Sequence, residues 1–123
     1  ADRGLAEELP IVAERARQAE VTHRVIAVEH NGRFLFEQRP DTGLWSGMWQ
    51  LTTQENGPPK QAGRELGRFV HLTTHRRITF VVHHRKVRTD RGEGVWRALD
   101  DLNDLPMSNA QKRAIELVRA QVG

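Results

Sequence analysis

Not one cysteine occurs in the 123 residues. That excludes a disulfide framework, a thiolate nucleophile, and any iron–sulfur cluster or Cys-ligated zinc held by this chain. It also suits a protein of a reducing compartment or one indifferent to redox state. No run approaches the roughly 20 apolar residues of a membrane span, so no membrane partner is expected. Neither a Gly-x-Ser-x-Gly elbow nor a P-loop spacing is present, which leaves nucleophilic and phosphoryl-transfer templates without a foothold. Paired carboxylates are scarce too. Asp100, Asp101 and Asp104 form the one acidic cluster, in a loop before the last helix, where a solvated or helix-dipole role is the expectation. The opening Ala1-Asp2-Arg3-Gly4 has no Met and no apolar h-region behind it, so the chain reads as a piece cut from something longer.

What is present is a soluble globular composition, 37% hydrophobic and 28% charged with three Trp and four Phe, in a length suited to one domain. Lysine is rare. Of nineteen Lys and Arg, three are Lys (Lys60, Lys86, Lys112), leaving sixteen Arg. Between Lys60 and Arg97 ten basic residues face Glu65, Asp90 and Glu93, whereas the rest of the chain holds nine basic and thirteen acidic residues. A guanidinium is a planar fork suited to phosphate and base edges, and a localised basic block is an electrostatic footprint for nucleic acid. The same block also fits a solvated, Arg-rich surface.

Residues 1–20 read as a linker with partial helix, since Leu5, Leu9, Val12, Ala13 and Ala16 have helical spacing that Pro10 interrupts. The β-branched run 21–29, the turn signal His30-Asn31-Gly32 and the run 33–38 predict a β-hairpin. A Gly- and Pro-bearing loop over 39–47 leads to a short strand at 48–52, a polar loop over 54–63, strands at about 66–75 and 78–87, and a turn at 90–94 that leads into Val95-Trp96-Arg97-Ala98-Leu99. Ser108-Asn109-Ala110-Gln111 is a capping box, with Ser capping the Gln amide and the Gln side chain reaching back. The helix it opens puts Ala114, Leu117, Val118 and Val122 on one face. The sum is an α+β domain with one mainly β layer and a C-terminal helix.

Six His invite a metal. His71 and His75 would share a strand face with Thr73 between them, yet roughly 13 Å apart, too far for one ion. His83 and His84 would point to opposite faces. Surface or hydrogen-bonded His, with no metal site, is the expectation.

The most specific string is Arg39-Pro40-Asp41-Thr42-Gly43-Leu44-Trp45-Ser46-Gly47-Met48-Trp49-Gln50-Leu51. Its glycines permit a tight loop, and its apolar side chains exceed what a surface loop carries, so at least two of the aromatics should seal one end of the core. A hairpin followed by Arg-Pro-x-x-Gly-Leu-Trp-x-Gly-Met-Trp resembles the C-terminal domain of the MutY-type adenine DNA glycosylases, which excise adenine mispaired with 8-oxoguanine. Leu9-Pro10-Ile11-Val12 is similar to that family's interdomain linker, and Pro106-Met107-Ser108-Asn109-Ala110-Gln111-Lys112-Arg113 to the start of its closing helix. Phe69-Val70-His71-Leu72-Thr73-Thr74-His75 aligns with the stretch where the family has His-x-Phe-Ser-His, the motif that reads 8-oxoguanine. His71 and His75 match the two His, Thr74 keeps a hydroxyl in place of Ser, and Thr73 stands where Phe is usual. Gln50-Leu51-Thr52 replaces the usual Glu-Phe-Pro.

The resemblance implies a Nudix-like fold with a mixed sheet over 21–123, following a linker over 1–20, and a non-catalytic lesion-recognition domain of a bacterial, cytoplasmic base-excision-repair enzyme. Its implied contacts to DNA and 8-oxoguanine are His71, Thr73, Thr74, His75, Arg76 and Arg77, with Arg85 and Arg88 as further phosphate contacts. The implied partners are duplex DNA with 8-oxoguanine opposite adenine and the parent's own catalytic domain. No cofactor is implied in this chain, and an iron–sulfur cluster is implied upstream. Two other readings stand beside it: a protein-interaction module that docks a replication or repair partner through the Trp-rich loop or linker, and a degenerate Nudix hydrolase. Against the latter, anchoring the box Gly-x5-Glu-x7-Arg-Glu-x2-Glu-Glu-x-Gly on Arg64-Glu65 places Gln50 at the Gly, Asn56 at the first Glu, and Arg68 and Phe69 at the metal-binding Glu positions. The Nudix box is therefore absent, and nothing there holds Mg²⁺ against a diphosphate.

Overall fold

The computed structural model describes residues 19–56, 61–90 and 92–122. The β-branched run near the start of that stretch forms strand β1, Ala19–His30, and because it lies mid-sheet it is buried on both faces, with Val25 and Ala27 on one side and Ile26 and Val28 on the other. Around it lie β2 (Arg33–Gln38), β3 (Trp49–Glu55), β4 (Arg64–Leu72), β5 (Arg76–Lys86) and β6 (Val95–Arg97). They form one six-stranded mixed sheet in the order β4-β5-β1-β3-β2-β6. β1 and β5 run parallel from Ala19↔Arg76 to Glu29↔Lys86, and every other pairing is antiparallel.

The expected β1–β2 hairpin exists only at its tip, where Asn31 (φ 50°) and Gly32 (φ 78°) make the turn and Glu29↔Phe34 and His30↔Arg33 pair. Farther from the tip the strands part and β3 enters between them, pairing with β1 from His23↔Glu55 to Ile26↔Thr52 and with β2 from Phe36↔Leu51 to Gln38↔Trp49. β3 thus runs three residues beyond its expected end and takes Gln54 and Glu55 from the predicted loop. β1 begins two residues before the boundary placed at 21; the remainder of the predicted linker, 1–18, lies outside the described residues, as do 57–60 of the predicted loop.

The helix α1, Asn109–Val122, covers one face of β4 and β5. Ala110, Ala114, Ile115 and Val118 join Phe36, Leu51, Phe69, Ile78 and Phe80 in the main core. Gly67 gives α1 its close approach, since a Cβ there would meet the Leu117 side chain at 3.2 Å, and the Arg113 guanidinium lies 4.4 Å from the Phe69 ring centre. Ser108 caps the helix as expected, its Oγ accepting the Gln111 N–H at 3.1 Å. The second half of the capping box does not form. Gln111 is buried, and its Oε1 accepts the Leu51 N–H at 3.0 Å, because a buried strand amide without a partner would cost more than an amide at a helix start that water can reach. Asp104 is exposed, which agrees with the solvated reading of the acidic cluster, and Arg97 holds it in a two-pronged ion pair at 2.7 and 3.0 Å. Among the described residues no helix is long and apolar enough to cross a membrane.

Candidate functional site

The predicted strand over 66–75 stops at Leu72. Thr73 ends it: its N–H donates to the Arg76 carbonyl at 2.9 Å and its Oγ1 accepts the Arg76 N–H at 3.0 Å. A Thr hydroxyl bonding its own backbone this way competes with the ladder and favours a turn. Thr74 and His75 are left as an exposed two-residue tip. The His75 carbonyl accepts the Ala19 N–H at 2.9 Å, pinning the tip to the start of β1.

This geometry corrects the reading of His71 and His75 as two residues on one strand face. His71 faces the core, its ring 5.7 Å from that of Trp45 and 6.4 Å from that of Phe80, whereas His75 lies on the exposed tip. Arg76 is half-buried and Arg77 exposed. Arg85 lies near the other end of β5, about 30 Å away at strand spacing, and Arg88 just beyond that end, so the four arginines form two groups. Arg85 is further engaged with Gln61, at 3.0 Å to its carbonyl. His83 and His84 do point to opposite faces. His84 pairs with Glu29 at 2.7 Å, while His83 is buried without a hydrogen bond of good geometry to either ring nitrogen. Burial holds His83 below the usual imidazole range and the Arg24 guanidinium adds to this, against the pull of the Gly63 backbone and Glu65. Among the described residues no three His, Asp or Glu are grouped to hold a metal.

The Trp-bearing loop reaches β4 near this turn, where Trp45 meets His71. It is closed by Arg39 N–H to Met48 O at 2.8 Å and Gly47 N–H to Pro40 O at 2.9 Å. The Arg39 guanidinium clamps it from within, with Nε donating to Leu44 O at 2.8 Å and Nη1 to Gln50 Oε1 at 3.0 Å. Gln50 passes the link on, donating to Glu37 at 2.8 Å, a carboxyl that burial raises above its ordinary range. Trp45 takes φ 52°, a backbone well that a bulky residue enters only when its surroundings over-determine it. Its indole packs on His23 and Phe80 as well as His71. Leu44, Trp45 and Trp49 pack against the main core, as the loop's composition suggested.

His23 and Glu55 are members of this site that the sequence reading passed over. His23 is 2% exposed and lies 3.3 Å from Glu55, which Arg39 also approaches at 3.6 Å. Burial holds the His23 pKa below its usual value; Glu55 opposes that shift, and Arg39 and Arg76 reinforce it. At neutral pH the contact is therefore a hydrogen bond to a neutral ring. The available signal was parity, since His23 occupies the same face of β1 as Val25 and Ala27. A cavity of about 660 Å³ between the 99–107 loop and α1, lined by Leu102, Met107, Ile115 and Arg119 among others, includes no residue of the turn.

Residues 23–117 match the NUDIX domain family. The chain belongs to that family. Solved structures agree on the fold. A MutT NUDIX hydrolase from Burkholderia pseudomallei superposes with a TM-score of 0.67 at 18% identity, over 82% of this chain and 99% of that one. The C-terminal domain of mouse MUTYH, in its complex with human PCNA, gives 0.63 at 18% identity, over 85% and 89%. The Escherichia coli ORF135 protein gives 0.63 at 16% identity, over 85% and 92%. No curated protein matches the sequence. Within this NUDIX domain, Arg64, Glu65, Arg68 and Phe69 lie on β4 and not on a helix. Glu65 there is held by Arg68 at 2.8 and 3.0 Å. Arg68 and Phe69 point to opposite faces of β4, and neither a guanidinium nor a phenyl ring ligates a divalent cation.

Proposed function

We propose that this NUDIX domain is the lesion-recognition part of an adenine DNA glycosylase and carries no catalysis of its own. The observation that supports it best is the β4–β5 turn, which presents a hydroxyl and an imidazole at an exposed tip beside Arg76 and Arg77. 8-Oxoguanine differs from guanine by an O8 acceptor and an N7–H donor. The Thr74 hydroxyl can both donate and accept, and with a neighbouring backbone amide it distinguishes the two bases by about 1–3 kcal/mol. Thr73 closes the turn, so it shapes the reader and is not the group that reads. His71 acts from behind, through Trp45. Arg76 and Arg77 contact phosphate and set a salt-dependent affinity. Adenine removal belongs to the catalytic domain of the parent. The iron–sulfur cluster expected there finds no ligand in this cysteine-free chain.

The test is equilibrium binding to a duplex holding 8-oxoguanine opposite adenine and to the same duplex with guanine. Thr74→Val should reduce the preference for the lesion about tenfold and spare binding to the plain duplex. Arg77→Gln should weaken both equally and lower the salt slope by about one. Equal losses on both duplexes for both variants sink this division of roles.

The mouse MUTYH complex with PCNA favours one second reading, in which this domain docks a replication or repair protein through residues 1–20. Capture of such a partner that needs residues 1–20 and ignores Thr74 would favour it. The Trp-rich loop is a poor docking element, since Trp45 and Trp49 are used inside the domain. Metal-dependent nucleotide turnover by the chain would instead restore a hydrolase.

A further inference from the structure

Among the described residues the exposed large hydrophobics are Val70, 39% exposed, and Leu72, 60% exposed. A lone exposed Leu needs no explanation, but these two are related by the pleat. β4 is in regular register from Gly67↔Val82 to Leu72↔Arg77, so Phe69 and His71 point to the core while Arg68, Val70 and Leu72 project from the opposite face. Leu72 stands directly across from Arg77 and immediately before Thr73, the residue that closes the turn. β4 is an edge strand, so the strip lies on the rim of the sheet. The result is a short apolar strip that leads into the reading tip and has a guanidinium at each end. Burying Val70 and Leu72 in the core would require β4 to slip by one residue, which would expose Phe69 and His71; register therefore keeps this strip outward.

We propose that Leu72, backed by Val70, is an apolar wedge that enters the DNA stack beside the base held by the turn. This rests on the lesion-recognition reading. Apolar side chains flanked by cations insert between base steps, where unstacking is offset by contact with the ring faces. The flanking charges favour DNA over a protein partner: Arg77 lies across from Leu72 and Arg76 follows the tip, while Arg68, at the far end, neutralises Glu65 at 2.8 Å. Thr73 carries no ring, so Leu72 supplies the apolar surface nearest the tip.

The experiment uses the 123-residue chain and a duplex with 2-aminopurine next to 8-oxoguanine, whose fluorescence rises on unstacking, alongside the guanine control. The native chain should raise the fluorescence on binding. Leu72→Ser, a change at an exposed position, should abolish that rise and weaken binding about tenfold, the transfer free energy of the still-exposed part of one Leu side chain expressed as affinity. Thr74→Val should lose lesion preference and keep the rise. Leu72→Met, with similar volume, should keep both. If the native chain prefers the lesion but Leu72→Ser changes neither signal nor affinity, the wedge is wrong and the reader stands. If the native chain shows no lesion preference yet a rise that depends on Leu72, the reader is wrong and the wedge stands. If Leu72→Ser leaves DNA binding intact but frees the chain from a protein complex, the strip is a protein-docking surface.

Discussion

Replacing Arg39 with Lys keeps the charge and removes the fork, and the contacts of that side chain set the expected cost. The guanidinium serves Leu44 O and Gln50 Oε1 at 2.8 and 3.0 Å, and its side chain is only 9% exposed. A single ammonium reaches one of these acceptors and leaves the other without its donor. Hydrogen bonds from a charged donor contribute about 1.5–3 kcal/mol, and an orphaned buried carbonyl costs about 1–3 kcal/mol. The contact to half-exposed Glu55 adds little. A loss of about 2 kcal/mol follows, which in a domain of this size lowers Tm by about 6–10 °C. The loss should be visible at the turn as well. Trp45, released from its left-handed backbone, no longer packs on His71, so the amide resonances of residues 71–76 should move in the DNA-free chain and tryptophan emission should shift to the red. Circular dichroism melting, emission spectra and a proton–nitrogen correlation spectrum of Arg39→Lys would measure all three. A Tm within about 2 °C of the native chain with unmoved turn resonances would refute the clamp.

Other consequences are simpler to state. His23 and His83 are both held below the ordinary imidazole value of 6.5, so below that pH the unfolded chain binds protons the folded one refuses. Stability should therefore fall as pH drops from 7.5 to 5.5. Glu37, raised by burial, works in the opposite sense as pH falls towards 4.5. A urea midpoint that does not move between pH 7.5 and 5.5 would contradict the burial of the two imidazoles, and His83→Leu should flatten the profile without loss of stability. Gln111→Leu strands the Leu51 N–H and should cost about 1–3 kcal/mol in urea unfolding, against about 1 kcal/mol for Ser108→Ala; the reverse order would mean that the Gln111 link is dispensable. Gly63, with φ +83°, has no room for a Cβ, which would run into the His84 carbonyl. Gly63→Ala should therefore unfold at markedly lower denaturant, and an unchanged midpoint would show that the chain relaxes there.

Much of the sheet was legible because its signals are local. The β-branched run at 21–29, the Asn31-Gly32 turn and the capping Ser108 each act within a few residues, and each stands where the pattern placed it. The departures come from contacts between segments far apart in the chain. Gln111 abandons the capping box for Leu51, sixty residues away. Nothing in the run of residues 66–75 shows that Thr73 will bond back to Arg76, so the strand seemed to continue to His75. The candidate site was singled out in the sequence by its residues, with Thr73 to His75 placed on a strand and not in a turn. It was not legible in its support, since His23, Arg39, Glu55 and Trp45 meet only when β3 enters between β1 and β2. Their service to the turn is a matter of packing, which leaves no periodic trace.

Lesion reading by the tip at Thr74 and His75 can be followed residue by residue through chemical-shift perturbation. The 123-residue chain would be titrated at low salt with a short duplex holding 8-oxoguanine opposite adenine, and separately with its guanine counterpart. Shifts are expected at Arg76 and Arg77 with both duplexes, and additional shifts at Thr74 and His75 with the lesion alone. Identical shift patterns for the two duplexes, or lesion-dependent shifts confined to the groove between α1 and the 99–107 loop, would contradict it.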